Sequence, residues 1–422
     1  MIGTNKLNFF TGNARLLTLI LRGLTLLSRF VFIIFLGRHL TIPELGFYGF
    51  ITALIFSTVF LVGLEYGNYA SRQIIKCKDL LCKQKTVVGL SVFGLIMFFT
   101  VSPFAYYFFH STNLNSLIYA FFFFILTYGE SYLAEHKKIL ISLNHPFFCG
   151  VIDFIRSALW TYLLIILSSL NLLNLNLTSI LFIWAVFVVL SFILVFIKLK
   201  EYYKYSLFFS MRSFNDYKTQ IFSSFPFFIS GLSLIVFELS GRISLQFFGL
   251  YEQAGIYTLY SGFIFAIPIF VWSSSVAFDH PKIIESYENG DVFKSDHLVK
   301  EMIKRSLLIC LILVILLYFG IDIVLSIINK EEYLSYIGQL YLFMIVPFIH
   351  IFDTHLYYML LTRNLDKSIA FSAIVGSIFL VIFQYFTISS GGINSVILSI
   401  ICAITISVLL KVFFIRRSIM KN

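Results

Sequence analysis

The sequence predicts an all-α polytopic membrane protein of about twelve transmembrane helices, set in two six-helix lobes. Three observations carry this. Of the 422 residues, 59% are apolar and 12% charged, whereas soluble domains carry about 25% charged residues. The apolar residues come in continuous runs of about 20, the length a helix needs to cross a bilayer, and not in the alternating segments of about 10 that build a transmembrane barrel. The basic residues collect in alternate connections between those runs.

In order, the runs place spans near 14–36, 46–66, 86–109, 117–135, 147–168, 179–197, 220–247, 253–276, 306–327, 338–360, 369–388 and 392–415. At about 20 residues each they consume roughly 240, which excludes a large extramembrane catalytic module. The first run holds Arg22 and Arg29 and lacks a small-residue cleavage site, so it reads as a retained helix and not as a signal peptide.

With the N-terminus in the cytoplasm, 25 of the 31 Lys and Arg residues fall in cytoplasmic segments. These run from Lys6 and Arg15 through the loops holding Arg72, Lys137, Lys204, Lys300 and Arg363 to a final group of Lys411, Arg416, Arg417 and Lys421. Only Arg38 and Lys330 lie on the opposite side. This is the positive-inside pattern, so the net charge of +10 reports topology and calls for no nucleic-acid partner.

The polar stretch after Lys198 divides the spans six and six. It predicts an N-terminal lobe over 1–200, a cytoplasmic linker over 201–219 and a C-terminal lobe over 220–422. A weak internal repeat agrees: Arg29, Gly37, Glu44 and Gly46-Phe47-Tyr48 recur as Arg242, Gly249, Glu252 and Gly255-Ile256-Tyr257. Six spans per half preserve orientation, as in a parallel repeat about the membrane normal.

Four basic residues remain, all within spans: Arg22, Arg29, Arg156 and Arg242. A charge at mid-membrane costs about 2.5–3.5 kcal/mol on insertion scales, so such groups face a cavity or a partner. Arg22 and Arg29 are seven residues apart, on one helical face, with no acid in their own span. Arginine never deprotonates and binds phosphate with a planar fork of donors, which suits these four to an anionic headgroup. Two of them have a local alternative, since Asp153 and Arg156 are i,i+3 and Glu238 and Arg242 are i,i+4, spacings that neutralise a charge within its own helix. The intramembrane acids Glu130, Glu238 and Asp353 are read either as coupling groups for protons or sodium or as static counter-charges.

No nucleophile constellation, phosphate-cradling glycine loop or metal-ligand spacing is present, so no catalytic residue, metal or cofactor is expected. Cys77 and Cys82 lie in a lysine-rich loop and are expected to form neither a zinc site nor a disulfide. Pro103, Pro226, Pro268 and Pro347 are expected to bend their spans.

Five segments, Leu40 to Tyr48, Ser224-Phe225-Pro226, Gly249 to Tyr257, Pro281 to Asp291 and Gly391-Gly392-Ile393, carry a family likeness. In them the chain resembles the Wzx-type O-antigen flippases of the multidrug/oligosaccharidyl-lipid/polysaccharide exporter superfamily. Where relatives often place an aspartate before the arginine of span seven, this chain has Gly241-Arg242. The resemblance implies a protein of the bacterial inner membrane whose two lobes enclose a central cationic cavity, and the charge pattern places both termini in the cytoplasm. It would move an undecaprenyl-diphosphate-linked oligosaccharide between leaflets for lipopolysaccharide biosynthesis, alongside a polysaccharide polymerase and a chain-length regulator. Two other readings stand beside it: a membrane glycosyltransferase or O-antigen polymerase, which typically carries a long outer loop, and a cation-coupled drug antiporter of the same superfamily.

The charge pattern makes the topology testable. Alkaline phosphatase fused near Asn113, Asn174 or Gly391 should be active, and fused near Lys204 or Arg363 inactive; the reverse pattern would sink the orientation.

Overall fold

The computed structural model describes residues 4–110, 117–204, 214–363 and 365–419, and every regular element in them is helical. In lipid this follows from the backbone: only a helix satisfies all its peptide groups within one segment. The first half contains α1 (Thr4–His39), α2 (Ile42–Gly63), α3 (Tyr66–Lys76), α4 (Leu80–His110), α5 (Leu117–Ser142), α6 (Pro146–Phe154), α7 (Trp160–Ser169) and α8 (Leu177–Leu199). The second contains α9 (Phe214–Phe247), α10 (Tyr251–Val271), α11 (Ala277–Glu288), α12 (Val292–Ile328), α13 (Glu331–Ser335), α14 (Ile337–Phe343), α15 (Val346–Thr362) and α16 (Asp366–Ile419). A π-helical turn, Ile155–Leu159, joins α6 to α7, and another, Trp272–Val276, joins α10 to α11.

Eleven helical stretches among the described residues are long and apolar enough to span a bilayer. The last, 53 residues from Asp366 to Ser418, would run about 80 Å against a hydrocarbon core of about 30 Å. It reverses at Gly392, where φ is 53° and ψ −132°, so it is two spans and the crossings number twelve. The side chain of Gln253 in α10 accepts from Ile393 N–H at 2.8 Å, supplying the partner that the restarting helix lacks.

The chain divides into two compact units. One comprises residues 1–32 and 54–225, the other 33–53 and 226–422. Of the anticipated linker over 201–219, residues 205–213 lie outside the described residues and 214–219 already form the start of α9. The linker's first residues are fixed to the first unit: Tyr203 OH lies 2.8 Å from Tyr132 OH, 3.0 Å from Ser91 Oγ and 3.1 Å from His136 Nε2.

The connection between α2 and α4 departs from the expected loop. Leu64 and Glu65 both take positive φ, 45° and 56°, and end α2 so that the short helix α3 can turn its Tyr66, Gly67, Ala70 and Ile74 inward. Glu135 of α5 accepts from Gly67 N–H, and Lys138 bridges Glu65 and Glu135 at 3.0 Å each. The break is therefore held by a satisfied charge network. The expectation of no disulfide is corrected: Cys77 and Cys82 are bonded. Cys77 caps α3 and Cys82 lies in the first turn of α4 with its N–H on Asp79 Oδ2, which brings the Cα atoms to 5.6 Å, within the bridging range.

In the second unit, the end of α1 and the start of α2 lie against α10 with backbone on backbone. A Cβ on Gly46 would sit 2.8 Å from Tyr251 O, and one on Gly255 would sit 2.0 Å from Ile42 O. The two approaches are reciprocal, each glycine four residues after the carbonyl that its own helix presents to the other. They join the two copies of the internal repeat. Phe47 stacks on Tyr251 at 5.7 Å beside them. Thr41 and Glu44 start α2 as a capping box, with Thr41 N–H and its hydroxyl both 2.8 Å from Glu44 Oε2. Lys330 donates to Gly37 O at 2.7 Å and to Leu40 O, closing the end of α1. Burial there lowers the pKa of Lys330, with Glu332 and Glu44 opposing.

The bend expected from Pro268 coincides with a π turn four residues on. Pro347, by contrast, starts α15 in a first-turn position where its missing N–H costs nothing.

Gly255→Ala should lower the melting temperature in detergent, because an Ile42 carbonyl cannot move aside as a side chain does; overpacking of this kind costs about 1–3 kcal/mol. Gly320→Ala, with nothing within 4 Å, should melt at or above wild type. Equal melting of the two variants would refute the close approach.

Candidate functional site

The first unit gathers charge from four helical segments. Close approach comes first: Gly129 in α5 leaves no room for a Cβ, which would sit 2.4 Å from Val188 of α8. That approach lets Trp184 Nε1 of α8 donate to Glu130 Oε1 at 2.9 Å. Trp184 itself stacks on Trp160 at 5.8 Å with ring planes 10° apart, so the indole N–H is aimed by packing. The other carboxylate oxygen, Glu130 Oε2, lies 3.2 Å from Arg156 Nη1.

The local Asp153–Arg156 pairing is only part of the picture. Arg156 sits in the π turn, and its Nη2 is 3.7 Å from Asp153 Oδ1, farther than Glu130. Asp153 instead takes Lys137, one turn before the end of α5. Arg156 Nε is buried without a hydrogen bond among the described residues, so its fork is not saturated. The positive charge of Arg29 also reaches Glu130.

Arg22 and Arg29 are both exposed on α1, as expected of one shared face. Between them, Leu24 O accepts from Tyr162 OH at 2.9 Å, fastening α7 to α1. The structure thus brings Arg29, Glu130 and Arg156 together, with Arg22 farther along the same helix.

The second unit holds a different cluster. Arg242 Nη2 and Nε donate to Ser261 Oγ of α10 at 3.0 and 3.2 Å, while the charge of Glu238, one turn earlier on α9, still acts on it. Gly241 lets α9 approach α10, since a Cβ there would meet the Tyr257 ring at 2.5 Å.

Asp353 is placed where the sequence did not foresee. Its Oδ2 is 2.6 Å from Lys411 Nζ and its Oδ1 accepts from Ser407 Oγ at 2.8 Å. Asp353 and Lys411 are each 4% exposed. This corrects the charge census, which counted Lys411 with the cytoplasmic groups, and assigns Asp353 a lysine as counter-charge where arginines were anticipated. The missed signal was in the sequence: Ser407-Val-Leu-Leu-Lys411-Val-Phe-Phe-Ile415 isolates one lysine in an apolar run. Trp184 was also overlooked as a polar partner, because it carries no formal charge that marks it within a span. No group of three or more His, Cys, Asp or Glu that could hold a metal occurs among the described residues.

The Asp353–Lys411 pair yields a stability test. Lys411→Met should strand a buried carboxylate and cost about 3–5 kcal/mol, while Asp353→Asn with Lys411→Met together should recover part of the loss. Thermal melts of the single and double variants decide it, and strictly additive losses would mean the pair is not coupled.

No protein-family model matches the sequence, and no curated protein matches it. Solved structures do. The lipid II flippase MurJ in an inward closed conformation aligns at a TM-score of 0.74 and 15% identity over 95% of this chain and 87% of that one. An inward-facing multidrug resistance MATE family transporter of the MOP superfamily aligns at 0.71 and 13% over 92% and 94%. A MOP superfamily transporter from Pyrococcus furiosus aligns at 0.54 and 14% over 96% and 94%. At these identities the likeness establishes the fold, and the chain has the all-helical fold of MOP superfamily transporters.

Proposed function

We propose that the chain is a flippase that carries an undecaprenyl-diphosphate-linked oligosaccharide unit from the cytoplasmic to the outer leaflet of a bacterial inner membrane by alternating access. The observation that carries the reading is the pair of exposed arginines, Arg22 and Arg29, on one face of a membrane-spanning helix. Facing hydrocarbon, each would cost about 2.5–3.5 kcal/mol. An exposed face that holds two of them is therefore hydrated or occupied by an anion. A diphosphate offers paired oxygens that match the guanidinium fork, and Arg156 adds an unsatisfied Nε nearby.

Glu130 gives the site a way to release its cargo. A ligand shifts a two-state equilibrium only by its differential affinity for the two states, so a diphosphate held equally by fixed arginines would not be passed on. Glu130 competes for Arg156 and for the field of Arg29. The fold shared with the lipid II flippase MurJ supports the lipid-linked reading. The fold shared with the multidrug MATE transporter supports drug export instead, but a cationic drug would meet Arg22 and Arg29 as like charges.

Alanine at Arg22 or Arg29 should abolish surface polysaccharide in a strain dependent on this protein, with membrane insertion unchanged, and lysine should retain partial function because charge survives without the fork. Normal polysaccharide in both alanine variants at matched expression would falsify the arginine site. Glu130→Gln should bind the lipid-linked diphosphate more tightly and flip it more slowly. Unchanged affinity with a large loss of melting temperature would reduce Glu130 to a static counter-charge.

A further inference from the structure

The second unit contains a titratable cluster that the diphosphate site does not use. His350, in the first turns of α15, is 7% exposed, and neither ring nitrogen has a hydrogen-bond partner among the described residues. A buried imidazole with both its donor and its acceptor unmatched is costly, and such groups call for an explanation. Glu238 of α9 places its Oε1 4.0 Å from His350 Nε2, while the charges of Asp353 and Lys411 also act on the ring. Glu238 is 34% exposed at its side chain while His350 is 9%. The acid is thus the more accessible of the two groups.

The charges around the ring are balanced without it. On α9 are Glu238 and Arg242, on α16 Lys411, and on α15 Asp353, already closed by Lys411 and Ser407. From α10 comes the Tyr257 phenol, and from α12 the Cys310 thiol, which packs beside Ile351. His355, two residues beyond Asp353, is committed to Ile351 O at 2.6 Å and Ser306 Oγ at 3.0 Å. Two acids and two bases cancel. A single added positive charge on His350 would have Glu238 as its accessible partner.

We propose that His350 is a proton-binding site loaded and unloaded during transport, with Glu238 as the entry group and hydrogen-bond acceptor. The free lone pair of one ring nitrogen takes a proton from hydronium reaching Glu238, so that one O–H bond breaks, one N–H bond forms and water is left. The imidazolium then has two donors, and a sub-ångström approach puts one of them on Glu238 Oε1. Deprotonation returns the proton by the same route and leaves the ring unpartnered, so the two protonation states favour different spacings of α9 and α15. The occupant is a proton and not a metal cation. Asp353 is already taken by an ammonium, and no cluster of three ligating acids, histidines or cysteines is present among the described residues.

This inference rests on the transporter reading but not on the identity of its cargo, and the experiment separates the two. The full chain, purified in detergent, is titrated for proton uptake between pH 5 and 8 without substrate, as wild type, H350Q and E238Q, each matched in melting temperature and elution. The wild-type minus H350Q difference should be one proton. E238Q should keep that proton but bind it with a midpoint lower by one unit or more, as expected when an opposite charge within reach is removed. Superimposable wild-type and H350Q curves overturn the proposal, as does a midpoint that follows sodium when it replaces choline. If H350Q fails to fold, H350N and E238Q carry the same comparison. In proteoliposomes, flipping of the lipid-linked oligosaccharide driven by a pH gradient should be lost in H350Q while gradient-free equilibration persists. If H350Q responds to the gradient as wild type does, the proton site is overturned. If no protein, wild type included, moves that cargo but the one-proton difference is seen, the cargo assignment fails and the proton site stands.

Discussion

A charge carried into a bilayer has to meet an opposite charge, a hydrated surface or an anionic ligand, and that requirement decides how the helices of this protein are placed side by side. Trp184, Arg156 and Glu130 come together because Gly129 lets α5 and α8 close up. Lys411 can lie in an apolar helix because Asp353 receives it, with the other carboxylate oxygen held by Ser407. Each unit has its own balance. Arg22, Arg29 and Arg156 exceed Glu130 in the first, whereas Glu238 and Asp353 offset Arg242 and Lys411 in the second. On the proposed reading, the first unit offers its excess positive charge to an anion, and the second offers a neutral set to which a proton adds.

Helix approach without side chains is the second constraint. The hydrophobic effect supplies little drive between helices in lipid, so association relies on close backbone approach and on polar bonds. Gly46 against Tyr251 and Gly255 against Ile42 provide the first. Gln384 provides the second, taking Ser244 Oγ as donor at 2.8 Å and giving its own amide to Ser399 and Ser240. The residues that carry the family resemblance belong to the same layer of explanation. Thr41 and Glu44 cap α2, Asp291 caps α12 through Lys294 N–H, and Gly392 turns the last two spans. They specify helix starts and reversals, which is why they point to a fold more directly than to a cargo.

The spans, their number and the position of the reversal at Gly391-Gly392 were legible in the sequence, because hydropathy over 20 residues and a glycine pair are local properties. The existence of an intramembrane arginine problem was legible for the same reason. Which acid answers which base was not. The i,i+3 spacing of Asp153 and Arg156 suggested an internal pair, which is present at 3.7 Å, but a π turn and the approach of α5 bring Arg156 closer to Glu130 and Asp153 closer to Lys137. Lys411 counted as cytoplasmic by its place near a chain end, and only packing against α15 made it the partner of Asp353. The Cys77–Cys82 bond likewise depends on how α3 meets α4. Apolar length and turn residues act within one segment of chain, so the sequence by itself determined the helices. Charge pairing acts across segments, over distances of 3–4 Å that only the tertiary structure sets.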